Sequence, residues 1–143
     1  MKATLKALFD QLATINGLKW YDEDFGQIDI AQDDQPAVKF PCALVTVNQQ
    51  HTPLGGSQYD VKSNITIRVA FNRLGERPAK AGEAYTATLN KLDVADAVLS
   101  ALEGYEVDES LGQLYIVEYL TEARNDGLMV KVIKFTETHQ EGL

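Results

Sequence analysis

The order of helical and strand periodicities predicts an α+β fold: an antiparallel or mixed β-sheet with helices on one face, in the order α-(β)-β-β-α-β-β. Three observations carry that expectation. Two segments repeat apolar residues at helical spacing, and other segments alternate at strand spacing. The alternating segments also fall into pairs joined by glycine-containing reversals, which read as hairpins. The 143 residues, 45% hydrophobic and 24% charged, have the balance of one ordinary globular unit, and a single domain over 1–143 is expected.

Leu5, Leu8, Phe9, Leu12 and Ile15 lie at helical spacing, so residues 3–15 read as an amphipathic helix that Asn16-Gly17 stops. An acidic stretch follows, and within it Gln27–Ile30 reads as a short edge strand, with a turn at Asp33-Asp34-Gln35-Pro36. Phe40-Pro41 opens the first long strand, Ala43–Gln49, where Ala43, Val45 and Val47 share a face. The chain reverses at Pro53–Ser57. It then alternates from Tyr59 to Asn72, with Ile65, Ile67, Val69 and Phe71 against Asn64, Thr66 and Arg68. A strand of that length reaches roughly 40 Å, enough to project beyond its own domain.

Gly75, Pro78 and Gly82 mark Arg73–Gly82 as a loop. Tyr85, Leu89, Leu92, Ala95, Val98, Leu99 and Leu102 then define a longer helix, closed by Gly104 and with a break expected near Asp93. Residues 113–123 alternate, with Leu114, Ile116 and Leu120 on one face and Tyr115, Val117 and Tyr119 on the other. Asn125-Asp126-Gly127 is a tight hairpin turn. The last strand, Leu128–Glu137, is apolar on both faces, and His139–Leu143 reads as a frayed tail.

Composition excludes several functions. The 13 Lys+Arg against 21 Asp+Glu, a net charge of −8, argue against sequence-independent nucleic-acid binding, and no sequence-specific binding is expected. One Cys permits no internal disulfide, two His leave little for zinc, and no apolar run approaches the roughly 20 residues that span a bilayer. Lys2 and Lys6 make a basic start, but Asp10 and Gln11 interrupt any apolar signal stretch, so no targeting signal is expected. The sequon Asn64-Ile65-Thr66 lies inside a strand pattern and is read as chance.

Catalytic and ligand motifs are weak. Gly55-Gly56 opens no helix and reads as a hairpin turn, not an anion nest. Cys42 and His51, as nucleophile and base, have nothing to orient them; a core thiol and a surface imidazole are the better reading. Asp22, Glu23, Asp24, Asp33 and Asp34 are the best calcium ligands on offer, but Phe25-Gly26 breaks the EF-hand spacing, so a solvated acidic loop is expected. Trp20, Tyr115 and Tyr119 are read as packing residues ahead of stacking ones. No catalytic residue, metal or cofactor is expected.

Charge distribution says more. Residues 21–60 hold seven acids against Lys39 alone, a net of −6. Residues 61–80 hold Lys62, Arg68, Arg73, Arg77 and Lys80 against Glu76, a net of +4. Two readings stand side by side: each segment is a solvated surface, or one copy's basic loop meets the next copy's acidic loop head to tail.

These features together make the whole chain resemble the tail-terminator (tail-completion) proteins of long-tailed bacteriophages and prophages. The resemblance rests on the opening helix Leu5–Ile15, the strand entry Phe40-Pro41-Cys42-Ala43-Leu44-Val45 and the long hairpin through Gly55-Gly56. It continues in the helix Leu92-Asp93-Val94-Ala95-Asp96-Ala97-Val98-Leu99 and in the closing hairpin at Arg124-Asn125-Asp126-Gly127, running into Val130–Phe135. It is a likeness of element order and size, and it does not explain the acidic segment 22–34. It implies a non-enzymatic protomer that self-associates into a hexameric ring, caps the tail tube protein's polymer and presents a face to the head connector protein. The protein would then sit in the virion tail, and in the host bacterial cytoplasm during assembly.

The contacts expected on that reading are the hairpin Gln49–Tyr59, with Gln49, His51, Leu54 and Tyr59, and the loop Arg73–Lys80, with Arg73, Arg77 and Lys80. Asp22 and Asp24 join them from the acidic segment. Two other readings remain: a different head–tail joining or minor tail protein, and a small bacterial α+β enzyme or ligand-binding domain with a pocket built from strand residues.

Overall fold

A computed structural model of the chain describes residues 1–30, 38–72, 81–108 and 111–142. The elements are α1 (Lys2–Leu12), β1 (Trp20–Glu23), β2 (Cys42–Gly55), β3 (Gln58–Asn72), α2 (Ala81–Leu102), β4 (Glu106–Asp108), β5 (Leu111–Gln113), β6 (Tyr115–Glu122) and β7 (Leu128–Gly142). Five strands form one sheet in the order β1-β2-β3-β7-β6, and β4 and β5 pair as a small separate ribbon. All neighbours in the large sheet are antiparallel except β1, which runs parallel to β2. The fold is α+β with a mixed sheet, as expected.

The sheet is covered on both faces, which explains why β7 is apolar on both. On one side α1 and α2 pack Leu8, Leu12, Ala95, Val98 and Leu102 onto Val45, Ile65, Ile67, Val69, Ile133 and Phe135. On the other, a second cluster joins Cys42, Leu44, Ala70, Val130 and Val132 to Ile28, with Trp20, Phe40 and Leu120 at its margin. Trp20 is therefore a packing residue.

Several expectations need correction. The edge strand after α1 is Trp20–Glu23, not Gln27–Ile30. Residues 26–29 form a turn, closed by the Asp29 N–H donating to the Gly26 carbonyl. Gln27 is buried there because its amide donates to the Glu23 carbonyl and accepts from the Phe25 N–H, while Ile28 enters the second core. The helix α2 is unbroken at Asp93. A β-bulge between Ile116 and Glu118 interrupts the alternation of β6. The register then puts Ile116 opposite Phe135 and Tyr119 opposite Ile133, on the helix side, and Leu120 opposite Val132, on the other.

The frayed tail is overturned outright. Strand β7 runs on through Thr138, His139, Gln140 and Glu141 to Gly142, each in register with β3 as far as Gln58. Beyond Val47 the burial of β2 ends, and the outer parts of β2, β3 and β7 project as a three-stranded arm with Gly56-Ser57 at its tip. The long hairpin does project, but it carries a third strand that satisfies the β3 edge.

The ribbon β4–β5 braces the base of this arm. Gly112 lies so close to β7 that a Cβ there would stand 2.3 Å from the Thr138 carbonyl oxygen. Gly112→Ala is expected to destabilise the fold by about 1–3 kcal/mol, since backbone must move to admit the methyl group. A denaturant midpoint equal to that of the unmodified chain would refute this reading.

Candidate functional site

The arm has two unlike faces. Side chains at odd positions continue the helix-side face outward: Gln49, His51 and Pro53 on β2, Tyr59, Val61 and Ser63 on β3, Glu137, His139 and Glu141 on β7. Even positions form the other face, a polar surface of Gln50, Thr52, Asp60, Lys62, Thr138 and Gln140 around a shallow depression of about 480 Å³.

Where the helix-side face meets the body, a polar chain replaces the apolar core. Glu137 is fully buried: its Oε1 accepts from the Ser63 hydroxyl at 2.6 Å and its Oε2 from the Gly112 N–H at 2.9 Å. His139 Nδ1 lies 2.6 Å from Glu137 Oε1, and His139 Nε2 lies 2.9 Å from Glu141 Oε1. The Glu141 carboxylate also faces His51 Nε2 at 3.6 Å. The hydrogen bond from His139, foremost, holds the Glu141 carboxyl below the usual carboxylate range. The Gln49 amide donates to Ser63 Oγ at 3.1 Å, tying β2 to the same chain. Each buried polar atom of Glu137 is thus matched, the condition under which a carboxylate is tolerated inside a protein.

This chain is not arranged for acyl transfer. Ser63 is buried and donates to Glu137, whereas a serine nucleophile needs its hydroxyl on a histidine. Cys42 does not pair with His51: the register sets them on opposite faces of β2, and burial pushes the thiol up to about 12. Among the described residues no group of three or more His, Cys, Asp or Glu side chains is arranged to hold a metal ion.

Two acids of the acidic segment, Asp24 and Asp29, find cationic partners within the chain. Arg68 on β3 donates through Nη1 to Asp24 at 3.2 Å and to Asp29 at 3.0 Å, and through Nη2 to Glu122 at 2.8 Å. Arg124, beside the β6–β7 turn, donates to Asp29 at 2.8 Å, to Glu122 at 2.6 Å and to the Ile28 carbonyl at 2.9 Å, and it also pairs with Asp126. Hydrogen bonds from these guanidinium groups hold Asp29, Glu122 and Asp126 below the usual carboxylate range, for Glu122 against the opposing effect of burial. The network clamps residues 24–29 over the second core.

Part of the charge asymmetry is therefore resolved inside one copy, because Arg68 already holds Asp24 and Asp29.

Of the contact residues named from sequence, Gln49, His51, Leu54 and Tyr59 all lie on the arm. Leu54 is 47% exposed near its tip, and the rings of His51 and Tyr59 meet edge to face. Asp24 is half-buried in the arginine network, and Asp22 is a half-buried β1 residue whose carboxylate accepts from the Glu23 N–H. Arg73, Arg77 and Lys80, and also Asp33 and Asp34, lie outside the described residues. The buried Ser63–Glu137–His139 chain was missed. The signal existed: strand parity carried past Ile133 and Phe135 puts Glu137 and His139 on the core face.

No protein-family model matches the chain, and no curated protein matches it. Among solved structures, the fold is shared with a chain in the virion of a native gene transfer agent (GTA) particle. The TM-score is 0.57 at 14% identity, over 95% of this chain and 93% of that one. The likeness establishes a common fold over nearly the whole of both molecules.

Proposed function

We propose that this protein is a structural component of a phage-like particle, and specifically that it caps the finished tail tube as a ring and joins it to the head. The observation that carries the reading is the match, end to end on both chains, to a protein of the gene transfer agent virion. At this identity it bears on fold, and function follows by analogy. Two features support the finer assignment. The arm is a stiff, solvent-projecting element of three hydrogen-bonded strands, suited to reaching a neighbouring subunit or the tube end. The buried Ser63, Glu137 and His139 are engaged in mutual hydrogen bonds that serve structure. No chemistry is required of such a protein, only closure and a face complementary to the tube.

The test is to add the purified protein to tail tubes growing in vitro. Labelled protein is expected at one end of each tube, with elongation arrested. Tubes that lengthen unchanged and carry no label at either end would remove the terminator role. Leu54→Asp at the arm is expected to leave stability within about 0.5 kcal/mol, as exposed substitutions do, while weakening tube-end binding at least about tenfold. Unchanged end labelling by this variant would take the arm out of the contact.

A further inference from the structure

We infer that the arm carries a proton-dependent clamp: His139 fixes the outer end of β7 while both of its ring nitrogens bear a proton, and releases Glu141 when one is lost. The clamp is a property of the arm itself and stands whether or not the arm meets a tail tube.

His139 is buried, with its side chain 3% exposed, and each ring nitrogen lies against a carboxylate oxygen: Nδ1 against Glu137 Oε1 at 2.6 Å, Nε2 against Glu141 Oε1 at 2.9 Å. Each contact needs one proton between its two lone pairs, so the two contacts together need two. A neutral imidazole between two carboxylates supplies only one. The ring is the stronger base and takes the second, becoming an imidazolium that donates in both directions.

The surroundings decide which contact yields when a proton is withdrawn. Glu137 is held in place. Gln49 donates to Ser63 Oγ, which directs the Ser63 hydroxyl proton onto Glu137 Oε1, and the Gly112 N–H of β5 holds Oε2. Glu141 has the opposite freedom: its side chain is 44% exposed, and water can solvate the carboxylate once it leaves. The last ring proton therefore stays on Nδ1 toward Glu137, and bare Nε2 meets the Glu141 carboxylate lone pair to lone pair. That contact is repulsive and opens.

Other titratable groups act on the Glu141 end. From β2, His51 Nε2 faces Glu141 Oε2 at 3.6 Å, and from β3 the Tyr59 ring meets His51 edge to face. From α1 the terminal ammonium of Met1 adds to the pull on Glu141. Asp60 and Lys62 belong to the other face of the arm. Glu141 thus reaches from His139 on its own strand across β3 to His51, and its release loosens the outer end of all three strands. It keeps its charge into mild acid, because the His139 hydrogen bond holds it below the usual carboxylate range. The closed form carries one proton more than the open form, so a rise in pH through the His139 titration opens the clamp.

The experiment follows the full chain by NMR from about pH 5 to about pH 9, the span that brackets histidine titration. Ring nitrogen shifts of His139 are expected to show both nitrogens protonated at the acid end and the Nδ1–H form at the alkaline end. Amide protection factors from Tyr59 to Val61 and from His139 to Glu141, corrected for intrinsic exchange, should fall about tenfold across the same midpoint, the effect of losing one charged hydrogen bond. In Glu141→Gln the carboxamide serves either state of Nε2, accepting from the N–H or donating to the bare nitrogen, so that fall should vanish. His51→Gln should keep it. A His139 ring that is neutral at the acid end, that ends as the Nε2–H form, or that is still doubly protonated at the alkaline end would overturn the proposal. Protection that stays flat in the unmodified chain would do the same, as would a fall that survives in Glu141→Gln or disappears in His51→Gln.

Discussion

Replacing Glu137 by alanine is expected to destabilise the protein by about 3–5 kcal/mol, the effect of removing one member of a buried ionic hydrogen-bonded set. The substitution strips the buried Ser63 hydroxyl and His139 Nδ1, and the half-buried Gly112 N–H, of their shared partner at once. Urea unfolding measures the total. Amide exchange at Gly112 supplies the local readout, since its N–H depends on Glu137 for a partner. Glu137→Gln keeps one acceptor oxygen, for Ser63 and His139 or for Gly112 but not for both sides, and should lose less than the alanine variant. A loss below about 1 kcal/mol for the alanine variant would mean that the arm base is held by strand pairing and packing alone.

The arginine clamp gives the second large effect. Arg68→Ala leaves Asp24 half-buried without its cation and takes one of two guanidinium groups from Asp29 and Glu122. A loss of about 2–3 kcal/mol is expected, less than for a fully buried pair because Asp29 and Glu122 retain solvent contact. The effect has a pH signature. Asp29, Glu122 and Asp126 titrate below their unfolded values in the native state. Their contribution is therefore complete above the unfolded carboxylate range near about 4 and is lost as pH falls through the lower native values. Stability of the unmodified chain should drop on acidification below about pH 4, and Arg68→Ala should flatten that drop. Parallel acid profiles for the two proteins would dispose of the clamp as the source.

Much of the architecture was legible because local signals and fold agree. Gly104 and Gly127 sit at positive φ where the second helix stop and the hairpin turn required them, whereas α1 ends at Leu12 with Ala13 as its cap, short of the expected stop at Gly17. Ile65, Ile67, Val69 and Phe71 announced their face by parity alone. The failures share a cause. Trp20–Glu23 is a strand only because Cys42–Val45 lies beside it in parallel, and four residues carry no period of their own. Thr138–Gly142 is polar and looked like a tail, yet it is a strand because β3 is long enough to pair with it. Ser63 and Glu137, or Asp29 and Arg124, lie too far apart in sequence for spacing to join them. What a sequence conceals here is the partner, not the propensity.

The place of β7 has a consequence for how the molecule comes into being. It lies between β3 and β6, so the β6–β7 hairpin joins the rest of the sheet only through the β3–β7 pairing. That pairing joins distant positions, such as Ile65 with Phe135, and pays its loop entropy before most of the first core can close. Folding should be slow for a chain of this size and should proceed as a late, all-or-none event.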